Sequence, residues 1–191
     1  MNIAVYCSAK DAIPEEYLAL GDALGAWIGA HGDTLVYGGA TGGLMSRVSD
    51  AAKAAGAEVI GVIPSRIIHA GRRAENCDRL VHVVNMSGRK QVMRDLADAI
   101  VCLPGSYGTL DEMMDATSSG IVGEHKTPVL VLNYQGFYEP LKQQIALMKS
   151  LHFIPTDESY RPLFVDTPDQ LYTALDAMRK DTPCQQGNNQ L

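Results

Sequence analysis

The chain has 191 residues, 46% of them hydrophobic and 20% charged, with a formal net charge of −6. At this size one core is expected to bury roughly 70% of the surface that the unfolded chain exposes, and no apolar run approaches the ~20 residues of a membrane span. The acidic balance argues against a nucleic-acid partner, which needs Lys and Arg clustered on one face, and the sequence points to neither a nucleic acid nor a membrane as partner.

The amino-terminal MNIAVYCSAK has neither the basic start nor the long apolar stretch of a secretory signal; it reads as a first strand at 3–7, and a cytoplasmic location is expected. The loop that follows, CSAKDAIP, contains no glycine, so the G-x-G-x-x-G fingerprint of dinucleotide enzymes is missing where it belongs; G-x-x-x-x-G-K-[ST] is missing throughout. Ser8 in this loop is a candidate ligand contact, although a Ser-type turn explains it equally simply. A helix is predicted at 17–28 and a strand at 34–37, leading into VYGGATGGLM at 36–45. That glycine-rich turn from strand to helix makes Gly39 and Thr41 candidate phosphate contacts.

A helix at 44–55 and a strand at 58–63 come next, then a basic segment with Arg66, His69, Arg72, Arg73 and Arg79 that reads equally as a solvated loop or as a phosphate or partner surface. After a strand at 80–84, NMSGRK leads into a helix predicted at 90–97. Arg89 and Lys90 thus stand at a helix start, where positive charge opposes the macrodipole and an anionic partner would offset it.

The strand at 99–103 runs into LPGSYGTLDEMMDA at 103–116, the most informative stretch of the chain. Without a Cβ, Gly105 and Gly108 are free to take φ > 0 and admit a ligand close to the backbone, while Ser106 and Thr109 add hydroxyls to free helix-terminal N–H groups. Asp111, Glu112 and Asp115 open the helix predicted at 111–121, where the macrodipole alone would account for acidic residues. A strand at 129–132, a helix at 138–151, a strand at 163–165 and a helix at 168–178 complete the series. The polar segment 181–191 is expected to be a disordered tail behind one domain spanning 1–180.

Near-continuous apolar strands such as IVCL and VLVL indicate burial on both faces, and with the regular alternation they predict a doubly wound, Rossmann-like α/β fold: one parallel sheet with helices on both faces. Ligands in such sheets bind beyond the carboxyl ends of the strands, where strand order reverses. Cys7, Cys77, Cys102 and Cys184 show no C-x-x-C spacing and the five histidines no ligand spacing, so neither a metal nor another cofactor is expected.

Together, YGGATGGLM, GVIP at 61–64, Met86 with the Arg89–Lys90 pair, and PGSYGTLDE resemble the Lonely Guy family of cytokinin riboside 5′-monophosphate phosphoribohydrolases over nearly all of the chain. The family motif is an RK pair followed by PGGxGTxxE. The resemblance implies hydrolysis of the N-glycosidic bond of a nucleoside 5′-monophosphate, AMP or an N6-modified AMP, by a homodimer. It assigns catalysis to Arg89 and Glu112, and substrate contacts to Ser8, Gly39, Thr41, Met86, Lys90, Gly105, Ser106, Tyr107, Gly108, Thr109, Asp111 and Ser118. Three departures stand out: Ser106 replaces a glycine, Asp111 replaces a longer acid, and Ser118-Ser119-Gly120 replaces a bulkier run. A non-catalytic nucleotide or molybdenum-cofactor carrier on the same fold is the alternative. The lysine decarboxylase label carried by many bacterial members finds no support in a pyridoxal phosphate lysine with its supporting acid.

Overall fold

Strands and helices alternate along the chain in the computed structural model, which describes residues 1–154 and 160–181. They are β1 (Asn2–Tyr6), α1 (Glu15–Ala30), β2 (Thr34–Tyr37), α2 (Gly43–Ala54), β3 (Glu58–Pro64), α3 (Ser65–His69), β4 (Arg79–Val83), α4 (Met86–Leu96), β5 (Ala99–Cys102), α5 (Tyr107–Ile121), β6 (Val129–Leu132), α6 (Glu139–Ser150), β7 (Leu163–Val165) and α7 (Pro168–Asp181). Apart from Asp181, which ends α7, the tail expected at 181–191 lies outside the described residues.

All seven strands are parallel in one sheet of order β4-β3-β2-β1-β5-β6-β7. The α/β fold read from the sequence is the one observed. Along β1 the side chains alternate between faces: Ile3 and Val5 join Leu24, Ile28, Val48 and Leu175, whereas Ala4 and Tyr6 join Met93, Met113 and Ala116. Helices α1, α2 and α7 therefore cover one face, α4 and α5 the other. Burial on both faces is why the central strands are apolar without alternation.

On the first face α1 and α2 approach closely because α1 presents glycine every fourth residue. A Cβ on Gly25 would strike the carbonyl oxygen of Val48, and one on Gly29 would strike Ala55. This stripe of small residues was not predicted, since helical periodicity registers apolar positions rather than missing side chains.

Two helix starts differ from expectation in a way that matters for the site. Helix α4 begins at Met86, not at residue 90, because the Asn85 side chain caps it, accepting from the Gly88 N–H at 2.9 Å. Helix α5 begins at Tyr107, not at 111, with Ser106 in extended conformation at its N-cap. Asp111 and Glu112 consequently lie beyond the first turn, which carries no acidic residue, and the macrodipole explanation for them fails. The short α3 overlaps the start of the basic segment, for which a solvated loop is one of the two sequence readings; its five residues are too few to show a period.

Candidate active site

Strand order reverses between β1 and β5, so the loops leaving these strands diverge and open a crevice at their carboxyl ends. Within it lies a cavity of about 180 Å³. Its floor carries Arg89 from α4 and Glu112 from α5, its rim Ser106, Gly108 and Thr109 from the start of α5, and Ser8 and Lys10 cross from the β1–α1 loop.

Arg89 and Glu112 are both buried, with side chains 6% and 3% exposed, and the Arg89 Nη2 stands 3.3 Å from the Glu112 Oε1. Charged side chains are rarely this enclosed unless paired. The pairing here is incomplete. Among the described residues the only hydrogen bond of the Arg89 side chain is a 3.8 Å contact from Nη1 to the Met86 sulfur, its buried Nε has no partner, and no hydrogen bond reaches the Glu112 carboxylate. Burial pushes the Glu112 carboxyl up to about 6 against the opposing pull of the Arg89 guanidinium, with Asp111 adding a smaller upward push. Two buried charges with hydrogen-bonding capacity left over, facing a cavity, form a site prepared for a polar ligand.

The loops that hold this pair explain most of the local sequence. Arg89 lies flat against Gly38, where a Cβ would collide with its guanidinium. The sequence contained this signal as the first glycine of GGATGG, but only packing across the sheet shows what the missing side chain admits. Gly42 and Gly43 take φ of 106° and 50° and seat the start of α2 on the β1–α1 loop, the Gly43 N–H donating to the Asp11 Oδ1 at 2.8 Å. The expectation of positive φ at Gly105 and Gly108 is corrected: neither adopts it. Gly105 is needed because the Thr109 side chain fills the place of its Cβ, while Gly108 leaves open space. Ser106 has φ −99°, which a residue with a side chain adopts without strain.

Of the contacts expected from the sequence, Ser8, Met86, Ser106, Gly108 and Thr109 line the cavity together with Arg89 and Glu112. Ser8 also anchors the Ser-type turn, accepting from the Lys10 N–H at 3.2 Å. Gly39 turns with φ 63° and packs against β3, and the exposed Thr41 donates its N–H to the Arg72 carbonyl at 2.9 Å; neither lines the cavity. Lys90 bridges Asp111 at 3.0 Å and Asp115 at 3.1 Å, tying α4 to α5 beside the site. Tyr107 and Ser118 project outward from α5, and Gly105 borders a neighbouring cavity. Arg72 was undecided in the sequence; here its Nη2 donates to the carbonyls of Ala9 and Thr41, both at 3.1 Å, and it lines the cavity as a second cation. Among the described residues no cluster of His, Cys, Asp and Glu is arranged to hold a metal ion, and no helix is long and apolar enough to cross a membrane.

The family model described as possible lysine decarboxylase matches residues 45–175. A cytokinin riboside 5′-monophosphate phosphoribohydrolase of Mycobacterium marinum is 38% identical to this chain over 173 residues, 91% of the chain and 92% of that protein. Another of the same name, from Mycobacterium tuberculosis, is 33% identical over 182 residues, 95% and 94% of the two lengths. Among solved structures, the molybdenum cofactor carrier protein of Chlamydomonas reinhardtii superposes with a TM-score of 0.71 over 94% of this chain and 98% of its own; at 22% identity the likeness is one of fold.

Proposed function

The chain belongs to the family of the cytokinin riboside 5′-monophosphate phosphoribohydrolases, which the possible lysine decarboxylase model spans, and from that premise we propose that it hydrolyses the N-glycosidic bond of a nucleoside 5′-monophosphate, AMP or an N6-modified AMP. The observation that carries the reading is the buried, under-bonded pair Arg89 and Glu112 on the floor of a cavity whose rim is the start of α5. The first N–H groups of a helix have no partner within it, so Tyr107, Gly108 and Thr109 offer amides to a phosphate, with Ser106 adding its hydroxyl. The ribose then extends inward toward Glu112.

Hydrolysis adds water across the bond between the anomeric carbon and the base nitrogen: the hydroxyl joins the sugar, a proton joins the base, and free base and ribose 5-phosphate leave. Positive charge grows on the anomeric carbon as the bond breaks, and the Glu112 carboxylate opposes it in a site where water screens little. Arg89 holds Glu112 ionised and offers its unused donors to the substrate. An anion carrier would have no use for a buried carboxylate beside its ligand, which disfavours the non-catalytic alternative.

The test is chromatography of the products. Purified protein is expected to release adenine, or an N6-substituted adenine, from the monophosphate but not from the riboside, which lacks the group that the α5 amides hold. Equal release from both would remove the phosphate from the reading. Gly38→Ala supplies a second test, because the new methyl displaces the guanidinium without touching the ligand. Turnover is expected to fall roughly a hundredfold, the usual cost of misplacing a catalytic group by about 1 Å, while circular dichroism stays unchanged.

The protein is further proposed to work in the cytoplasm as a homodimer. Supporting the dimer, α4 and α5 expose Met86, Tyr107 and Ile121 at 40%, 90% and 53%. Such apolar exposure on adjoining helices favours a protein partner. Sedimentation equilibrium is expected to give twice the chain mass, and a monomer at micromolar concentration would refute it.

A further inference from the structure

Next to the reacting cavity, and separated from it by Ser8, Lys10 and Ser106, lies a second cavity of about 280 Å³. Its other walls are Ile13, Pro14, Tyr17, Pro104 and Phe137, with Gly105 at the edge. Arg89 and Glu112 do not line it. We infer that this cavity holds a flat apolar group carried on the far side of the substrate phosphate, so that the chain also binds nucleoside 5′-phosphodiesters whose second ester group is aromatic.

The inference rests on the proposal that the phosphate sits at the start of α5, and it follows from where the two cavities meet. The anomeric carbon has to reach Glu112, which lines only the first cavity, so the sugar occupies that side. Ser106 belongs to both cavities and stands at the N-cap position of the helix proposed to hold the phosphate. A substituent on the phosphate oxygen that points away from the ribose therefore enters the apolar cavity.

Size and construction agree. At about 280 Å³ the space falls just below the ~300 Å³ at which pockets for whole ligands begin, and it suits one ring system. Its walls are held in place rather than left loose. Tyr17 packs edge-on against Tyr134 and Phe137, both at 5.8 Å between ring centroids. Phe137 follows a tight turn in which Gln135 adopts φ 52° and Gly136 φ 75°. Asn133 closes that turn, accepting from the Tyr138 N–H and donating to Asp166, each at 2.8 Å. Yet Phe137 remains 43% exposed, an aromatic ring braced from behind and open toward the cavity. Lys10, on the boundary, supplies positive charge beside the diester.

Titration calorimetry with the methyl and phenyl phosphodiesters of adenosine 5′-monophosphate tests this. The phenyl ester is expected to bind roughly tenfold more tightly than the methyl ester, as burial of one ring face would give. Ile13→Trp, which fills the cavity from its rim, should abolish the difference, and Phe137→Ser should shrink it. The ratio of the two esters within each variant cancels any general loss of folded protein. Equal affinities in the unaltered chain would overturn the inference, as would a phenyl preference that survives both substitutions. Release of adenine from AMP without a phenyl preference refutes only the apolar subsite; a phenyl preference without release of base refutes the hydrolase and leaves the subsite standing.

Discussion

Replacing Glu112 by Gln is expected to lower turnover by about a thousandfold while nucleotide affinity stays within a few fold, because the amide keeps the shape and the acceptor oxygen but loses the charge. The unaltered enzyme should show activity rising with pH through about 6, the value to which burial lifts this carboxyl. The ionised form is the active one, so a side chain protonated below that pH cannot oppose charge on the sugar. In the Gln variant the residual rate should lose this rise. Stability should move in the opposite sense. A carboxyl raised from 4.5 in the unfolded chain to about 6 in the folded one contributes stability that is present below the lower value and lost as pH climbs through the higher. Denaturant titrations across that window should therefore show the stability difference between wild type and Glu112→Gln shifting by roughly 2 kcal/mol in favour of the variant. Undiminished turnover by the variant would remove Glu112 from the reaction.

Arg89→Ala is expected to be as damaging by a different route. The guanidinium is the main neighbour that holds Glu112 down, and without it only the weaker pull of Lys90 opposes burial of the carboxyl. The pH at which activity appears should move well above 6, and kcat/KM at neutral pH should fall by about a thousandfold from combined loss of substrate contacts and of ionised Glu112. Arg89→Lys restores charge without the planar fork and should recover part of the pH shift but little of the binding. The pH–rate profile is the decisive measurement. A purely structural arginine would lower the amount of active protein and leave the midpoint where it was.

Both effects arise from one economy of the fold: two charges are buried with fewer hydrogen bonds than they can make. Unmet capacity of this kind costs stability, and proteins keep it where a ligand will meet it. Lys90 gives the contrast. Its side chain, 14% exposed, is paired with both Asp111 and Asp115, and its visible work is to hold two helices together.

Much of this was legible in the linear sequence, for identifiable reasons. The boundaries of β2, β6 and β7 coincide with those predicted, since short apolar runs flanked by turn residues leave few alternatives. Arg89 stood out as positive charge at a helix start, and Glu112 only through the resemblance to the family motif. Both helix starts lie ahead of those predicted: the Asn85 side chain caps α4 before its charged pair, and α5 starts at Tyr107 behind an extended Ser106 that makes no side-chain cap hydrogen bond. Asn85, a residue type favoured at N-caps, is the readable signal for the start of α4.

Amino-acid order alone determined an α/β chain with glycine-rich turns at strand-to-helix junctions, because hydrophobic periodicity and turn chemistry are local properties. Which strands are neighbours was settled only in three dimensions. The reversal at β1 and β5 brings the β1–α1 loop and the start of α5, far apart in sequence, to one crevice, strips Arg89 and Glu112 of water, and turns Gly38 from a loop glycine into the space a guanidinium occupies. Burial and enforced proximity belong to the packed chain, and they are what separates a buried carboxyl raised to about 6 from an ordinary surface acid.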